Sequence, residues 1–309
     1  MRIAHAAALG CLFVTAALCT SPAAAQAPEL TTLLGRPVFA RDDGDGAIAK
    51  ADAALAADPR NLELILAAAR ARDAALQFHA AIEIYTRGLA IAPDDVRLLR
   101  FRGHRYISTR RFDLAVADLR KAFDLSPSSF DVIYHLGLAH YLRGEFEEAA
   151  RVYRSCLDTS TDPRPLPQGW RSCTNTRSTD NDRVAVTDWL YRALRRAGSH
   201  DEARALLPGI TADMKVGENE AYYTALRFYA GAVTEDTAMT PVTKNENRLV
   251  TVGYGVATFH LAGRDAARAC ALLKRIADEP NWNAFGVIAA EVRRFLDVHG
   301  LRPARVGGS

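Results

Sequence analysis

The side chains with the most obvious capacity for chemistry are histidines, and their spacing limits what they can do. His135 and His140 are five positions apart, so in a helix they lie on different sides and do not share one face. A three-ligand metal site would need His104 to approach His135 from the neighbouring repeat, with Asp131, which is nearby in sequence, as the third ligand. The alternative, which we prefer, is that His140 fills a packing position while the other two imidazoles face a groove. No metal and no cofactor are therefore predicted.

Catalytic motifs are missing from the sequence. It contains no phosphate-binding loop, nucleophile elbow, dinucleotide fingerprint or zinc-protease helix motif. We therefore predict no catalytic residue and expect that the chain is not an enzyme. The main alternative is a hydrolase or metal-dependent enzyme with its site in the C-terminal half. That site would lie among His260, Glu291 and a tyrosine-rich helix at residues 218–229.

The N-terminus has the three-part pattern of a secretory signal peptide. Arg2 is followed by an apolar stretch at residues 3–18 and by three alanines at residues 23–25. We expect cleavage near Ala25 and a periplasmic or secreted mature protein, with an uncleaved membrane anchor as the alternative. No second apolar stretch is long enough to cross a bilayer, so no membrane span is expected in the mature chain.

Export changes how the cysteines are interpreted. In an oxidising compartment Cys156 and Cys173 would form a disulfide across a loop-like region, and the alternative is two free thiols. Cys270 has no obvious partner and falls within an apolar helical pattern. It is therefore expected to be a small buried residue.

The elements that must position these side chains repeat at a regular interval. Pro59, Pro93 and Pro127 are 34 positions apart, and each ends a helical segment because proline cannot continue the hydrogen-bond ladder. Small residues such as Gly103 and Ala115 let two helices approach closely between these prolines. One such hairpin cannot bury its own apolar face, so several must stack. The period predicts an all-α chain.

The Leu136-Gly137 pair, followed twelve positions after the glycine by Ala149 and then by Tyr153, resembles the tetratricopeptide repeat. The resemblance is strongest over residues 61–156. It implies a right-handed solenoid of helical hairpins that binds another protein. The predicted organisation is a signal peptide (1–25), a linker or N-terminal extension (26–44), an array of a half unit and three units (45–160), an inserted loop (161–183), a degenerate helical half (184–300) and a disordered tail (301–309).

In proteins that resemble this one, the first helix of each pair lines a concave groove. Arginines and tyrosines there would hold an acidic or C-terminal carboxylate group by charge-assisted hydrogen bonds and stacking. The alternative is a solvated face that binds nothing. The chaperone-binding relatives use a Lys and Asn clamp, whereas the matching positions here hold Leu66, Ala67 and Arg70, so that clamp is not predicted. The predicted groove residues are Arg70, Arg97, Arg100, His104, Tyr134, Tyr141, Arg192 and Arg195.

Composition and charge narrow the class of partner. The 309 residues are 49% hydrophobic and 24% charged, which is ordinary for a globular chain. The formal charge of +3 is small, whereas a nucleic-acid-binding protein usually has a large basic surplus. The sequence therefore predicts an exported scaffold for a protein or peptide and no nucleic-acid partner. A self-associating module in envelope assembly is a further alternative, and the sequence does not set the oligomeric state.

Overall fold

The computed structural model describes residues 26–158, 166–173, 180–240, 248–263 and 265–300. Two short antiparallel strands, β1 (Leu30–Thr31) and β2 (Pro37–Val38), precede a series of helices. The helices are α1 (Ala47–Ala57), α2 (Leu62–Ala74), α3 (Phe78–Ile91), α4 (Val96–Ser108), α5 (Phe112–Leu125), α6 (Phe130–Arg143), α7 (Phe146–Leu157), α8 (Asp180–Ala197), α9 (His200–Ala205), α10 (Glu220–Tyr229), α11 (Glu235–Met239), α12 (Arg248–Ala262), α13 (Ala266–Ala277) and α14 (Phe285–Val298), with a 3-10 turn at Leu207–Gly209.

The first helices of the three repeats begin in the same way. Asn61, Asp95 and Ser129 have the same spacing as the prolines, and each side chain accepts a hydrogen bond from a backbone N–H in the first turn of its helix. These caps satisfy amide groups that have no partner inside the helix. The period of the sequence is therefore also the period of the helix starts.

The turns inside the hairpins follow the same period. Leu76, Arg110 and Gly144 occupy equivalent positions in successive repeats and have positive φ angles of 57°, 61° and 83°. Glycine adopts this left-handed conformation readily, whereas leucine and arginine pay a steric cost of about 1–2 kcal/mol. Two of the three repeats therefore keep a side chain at a position that favours glycine.

Close helix packing depends on glycine at one position of the first helix. A Cβ atom on Gly103 would lie 2.6 Å from Cγ of Leu119, and one on Gly137 would lie 2.5 Å from Cζ of Tyr153. Both contacts are shorter than carbon atoms tolerate, so these glycines let α4 and α6 approach the second helix of their own pair. The prediction of an all-α solenoid of helical hairpins is confirmed.

The C-terminal half is joined to the repeats by one core. Helices α10 and α12 pack on α8, α13 and α14 follow as further packed helices, and a single cluster of buried residues extends from α3 to α14. The chain then returns to the first repeats, where Trp282 packs edge-on against Phe78 with ring centroids 5.3 Å apart. The repeat array and the C-terminal half therefore pack together as one continuous body.

The structure differs from three expectations based on the sequence. Residues 26–44, expected as a linker or extension, contain the β1–β2 hairpin, whose Val38 is buried against Phe78 and Trp282. Helix α8 begins at Asp180, inside the region predicted as loop 161–183. Cys270 is exposed, and the expectation that it is buried is wrong, because it lies on the outer side of α13.

Cys156 and Cys173 are joined by a disulfide in the structure, with their Cα atoms 5.0 Å apart. The predicted signal peptide at 1–25 and the predicted tail at 301–309 lie outside the described residues. Among the described residues, no helix combines the length and apolar character needed to cross a bilayer.

Candidate protein-binding groove

The first helices of the repeats, α2, α4, α6 and α8, form the inner surface on which the sequence places the groove. The structure divides this surface into two parts. The part built by α6 and α8, together with the C-terminal end of α4, is covered by the C-terminal helices. The part built by α2 and the N-terminal half of α4 is open. We call these the covered part and the open part of the groove.

Phe285, the first residue of α14, lies in the covered part. Its ring centroid is 5.3 Å from that of His104, 5.7 Å from that of His135 and 6.0 Å from that of Tyr134. The two imidazoles themselves are 4.3 Å apart. An aromatic side chain of the chain itself thus occupies the place where a bound peptide was expected.

On α6 and α8, helices α10 and α12 bury three of the predicted groove residues. The hydroxyl oxygens of Tyr134 and Tyr222 are 2.7 Å apart, and those of Tyr141 and Tyr254 are 3.0 Å apart. Arg192 is 1% exposed. Tyr134, Tyr141 and Arg192 are therefore not accessible to a partner, and their prediction as groove residues is corrected. Their apolar surface stabilises the fold because the C-terminal half packs on it.

An ion pair holds the covering helix in place. Arg110 Nη2 donates to Glu291 Oε2 at 2.7 Å and to the Trp282 carbonyl at 3.0 Å. Glu291 Oε1 also accepts from the backbone N–H of Leu33 at 2.6 Å. The two charged side chains are 5% and 2% exposed. Sequence reasoning missed this contact, and the only available indication was an arginine at the turn position where the next repeat has Gly144.

The open part holds three of the predicted arginines, of which Arg70 is exposed and Arg97 and Arg100 are half-buried. Arg70 is exposed, and its guanidinium carbon is 5.6 Å from the centroid of the Phe101 ring. The guanidinium carbon of Arg100 is 4.6 Å from the same ring, and Arg100 Nη2 donates to Asp131 at 3.2 Å. Among the described residues, Arg70 has no ion pair or hydrogen bond of its side chain. Arg70 is therefore the exposed cation of the three.

Arg97 is already engaged. It contacts the carboxylates of Asp95, 2.8 Å away, and Glu63, 2.5 Å away. Hydrogen bonding to Asp95 is the main cause that raises the pKa of Arg97 above its usual value. This side chain is therefore better placed to orient the rim of the groove than to bind a new anion.

The base of the open part is a buried charge cluster. Burial raises the pKa of the Asp73 carboxyl, and the nearby Arg105 guanidinium opposes that shift. Burial likewise lowers the pKa of Arg100, against the attraction of Asp131. Tyr85 donates to Asp73 Oδ2 at 2.8 Å. Arg100 is held at this base by its hydrogen bond to Asp131 and by its contact with the Phe101 ring.

Arg195 and the residues of the enzyme alternative lie elsewhere. Arg195 is half-buried with its guanidinium carbon 5.4 Å from the Phe259 ring centroid. His260 Nε2 is 2.8 Å from Glu235 Oε2, whereas Glu291 is paired with Arg110. The side chains that an enzyme would bring together thus have separate partners.

The side chains of the alternative metal site do not form a metal-binding cluster either. His135 Nδ1 lies 2.5 Å from the Asp131 backbone carbonyl, and the Asp131 carboxylate accepts from Arg100 and Arg171. In the described part of the chain, no cluster of three metal-binding side chains is present. These residues support the groove wall instead.

The buried imidazoles predict a pH dependence of stability. Burial lowers the pKa of both His104 and His135 well below the usual value, and nearby arginines add to this shift. The unfolded chain binds protons near pH 6.5, whereas the folded chain does not, so stability is lost as the pH falls through that region. The loss is at most about 1.4 kcal/mol per pH unit for each imidazole. Urea unfolding at pH 7.0, 6.5 and 6.0 measures it.

The double variant His104→Gln/His135→Gln is the control for this prediction. It removes both titrating groups, so its stability should change less between pH 7.0 and 6.0 than that of the wild type. Equal slopes in the two proteins would show that these imidazoles are not the cause.

These features define a class of protein, a solenoid of stacked helical hairpins whose first helices face inward. Residues 101–129 match the family model described as Tetratricopeptide repeat. The chain is also similar to the small glutamine-rich tetratricopeptide repeat-containing protein 2 of Saccharomyces cerevisiae, with 32% identity over 85 residues. The match covers 28% of this chain and spans only 25% of the yeast protein. Over the matched residues the chain is similar to tetratricopeptide-repeat proteins.

Proposed function

We propose that this chain is an exported scaffold that holds an acidic segment of a partner protein in the open part of its groove. The observation that carries the proposal is Arg70, an exposed cation without an ion pair among the described residues, beside Arg100 over the Phe101 ring. Tetratricopeptide repeats support a protein-interaction scaffold in general. The acidic partner and the export are our inference.

The geometry favours a carboxylate for two physical reasons. A guanidinium offers several N–H donors, and a hydrogen bond between charged groups contributes about 1.5–3 kcal/mol when it is partly desolvated. The Phe101 ring lies next to both guanidinium groups and limits their contact with water. An acidic side chain that binds here would accept hydrogen bonds from two guanidinium groups that lie beside the same aromatic ring.

Export is supported by the N-terminal pattern and by the paired cysteines. Arg2, the apolar stretch at residues 3–18 and the alanines at 23–25 form a secretory signal pattern. A disulfide between Cys156 and Cys173 is stable in an oxidising compartment and rare in a reducing one. Both observations favour a location outside the cytoplasm.

The acidic-groove proposal predicts the effect of reversing one charge. Arg70→Glu should weaken binding of a short fluorescein-labelled polyglutamate peptide with one central leucine by about tenfold or more. The new carboxylate removes the free donors and repels the probe. Fluorescence anisotropy at low ionic strength measures the dissociation constant.

Arg87→Glu is the matched control. Arg87 is also exposed, but it lies on α3, the second helix of its hairpin, outside the open part. The same change of charge there should alter the affinity less than about threefold, through the net charge alone. Equal losses in both variants, or no binding by the wild type, would contradict the proposed site.

A further inference from the structure

The described residues of the inserted loop, 166–173, form a wall at one edge of the open part. Ser172 pairs with Ser129 in an isolated antiparallel bridge. The backbone N–H of Phe130 donates to the Arg171 carbonyl at 3.0 Å. The segment is thus bound to the start of α6, one of the helices that form the groove.

A disulfide holds the end of this wall. Cys173 is joined to Cys156 on α7, and its backbone N–H donates to the Ser128 carbonyl at 2.8 Å. The two cysteines are 6% and 1% exposed. The wall is therefore fixed by a covalent bond inside the core and does not depend on surface contacts alone.

The wall brings a further arginine to the groove. Arg171 Nη2 lies 3.3 Å from Oδ1 of Asp131, the same oxygen that accepts from Arg100 at 3.2 Å. Arg171 Nη1 contacts Asp182 at 2.5 Å, and the side chain remains 40% exposed. The inserted loop thus extends the row of basic groups that begins with Arg70 and Arg100.

A cavity of about 300 Å³ lies between this wall and the repeats. Its apolar lining comes half from the repeats and half from the inserted loop. Polar groups stand at its rim. The apolar residues are Val96, Leu125, Leu166 and Pro167, and the polar ones are Asp95, Arg97 and Ser126.

We propose that this cavity is a specificity pocket for one apolar side chain on the acidic segment, and that the disulfide-anchored wall forms it. The inference rests on the proposed function, because it places the pocket beside the same open part. Arg97 connects the two sites: it lines the cavity and lies one helical turn before Arg100 on α4. The inserted loop would therefore select among acidic partners.

The lining of the cavity favours an apolar side chain as its occupant. Four apolar side chains line it, two from the repeats and two from the inserted loop, and Arg97 stands beside Asp95 at its rim. The cavity is large enough for a leucine-sized side chain, whose burial should strengthen binding about tenfold. A segment with charge alone would leave the apolar lining hydrated.

The test compares two probes on the full chain. One is a fluorescein-labelled polyglutamate peptide with a central leucine, and the other has serine in place of that leucine. The wild type should bind the leucine probe about tenfold more tightly. Leu166→Glu should abolish this preference, whereas Leu114→Glu, a matched change at an exposed residue of α5, should keep it.

The double variant Cys156→Ser/Cys173→Ser tests the role of the wall. It should lose the preference for leucine while it still binds polyglutamate in an Arg70-dependent manner. Amide hydrogen exchange should become at least about tenfold faster at Phe130, whose N–H bonds to the wall. Unchanged exchange would overturn the idea that the disulfide anchors the wall, whatever the probes do.

The outcomes separate the two proposals. Arg70-dependent binding without any preference for leucine would overturn the specificity pocket and leave the acidic groove intact. No binding of either probe by the wild type would overturn both. A preference that survives Leu166→Glu would place the apolar contact elsewhere and overturn the pocket.

Discussion

Replacing Glu291 by alanine should lower the free energy of unfolding by about 3–5 kcal/mol. The Glu291 side chain is 2% exposed and is the carboxylate partner of Arg110, which is 5% exposed. Removing it leaves a buried guanidinium unpaired and takes the acceptor from the Leu33 amide. Urea unfolding followed by circular dichroism measures the loss, provided that the denaturant slope stays the same.

Two further variants show that the ion pair is the cause. Glu147→Ala, at an exposed acidic residue of α7, should change the stability by no more than about 0.5 kcal/mol. The double variant Arg110→Gly/Glu291→Leu should recover a large part of the loss. It removes both charges and gives the turn the glycine that its φ of 61° favours. A loss below about 1 kcal/mol for Glu291→Ala would contradict a closing role for this pair.

Replacing Asp188 by alanine should have an effect of similar size, about 3–5 kcal/mol. Asp188 Oδ2 lies 2.6 Å from Arg192 Nη2, and the two side chains are 0% and 1% exposed. Around them, Tyr229 and Gly255 pack closely: a Cβ on Gly255 would lie 2.1 Å from the Tyr229 hydroxyl and 3.0 Å from Arg192 Nη2. Without Asp188, no carboxylate of the described residues pairs with the buried Arg192 guanidinium.

Asp201→Ala provides the matched control for Asp188→Ala, because Asp201 pairs with Arg204 on the surface with its side chain 93% exposed. That change should alter the stability by less than about 1 kcal/mol. The double variant Asp188→Leu/Arg192→Met should be more stable than Asp188→Ala, since a well-packed apolar pair can replace a buried ion pair. If the double variant is the less stable of the two, the unpaired charge is not the source of the loss.

Both variants act on the joint between the repeats and the C-terminal half. Arg110–Glu291 anchors the middle of α14 to the turn of the second repeat, and Asp188–Arg192 lies under α10 and α12. Their large expected effects follow from the single core that includes both halves. The C-terminal helices are thus part of the fold of the array and cover most of its inner surface.

Local features were predictable from the sequence. The prolines at 59, 93 and 127 indicated the helix ends, and Gly103 and Gly137 lie where the helices touch. Each feature acts over a short stretch of chain, through backbone geometry, capping or the size of one side chain. The period of the repeat could therefore be recognised without knowing what lies on the other side of each helix.

Which groove residues a partner can reach was not predictable from the sequence. His104, Tyr134 and Tyr141 were expected to meet a partner, and they meet Phe285, Tyr222 and Tyr254 of the same chain. A tyrosine on the inner face of a helix has the same residue type and spacing whether its ring contacts a ligand or another helix. The periodic pattern specifies only that this face needs to be covered.

The sequence by itself determined the repeat, its helix boundaries, the small residues at the helix contacts and the arginines of the first helices. Only the tertiary structure decided which of those arginines remain open, because that depends on contacts across long stretches of chain. Arg110 and Glu291 are 181 positions apart, and Tyr141 and Tyr254 are 113 apart. Periodicity specifies one helix face at a time, whereas such contacts arise only when the whole chain closes on itself.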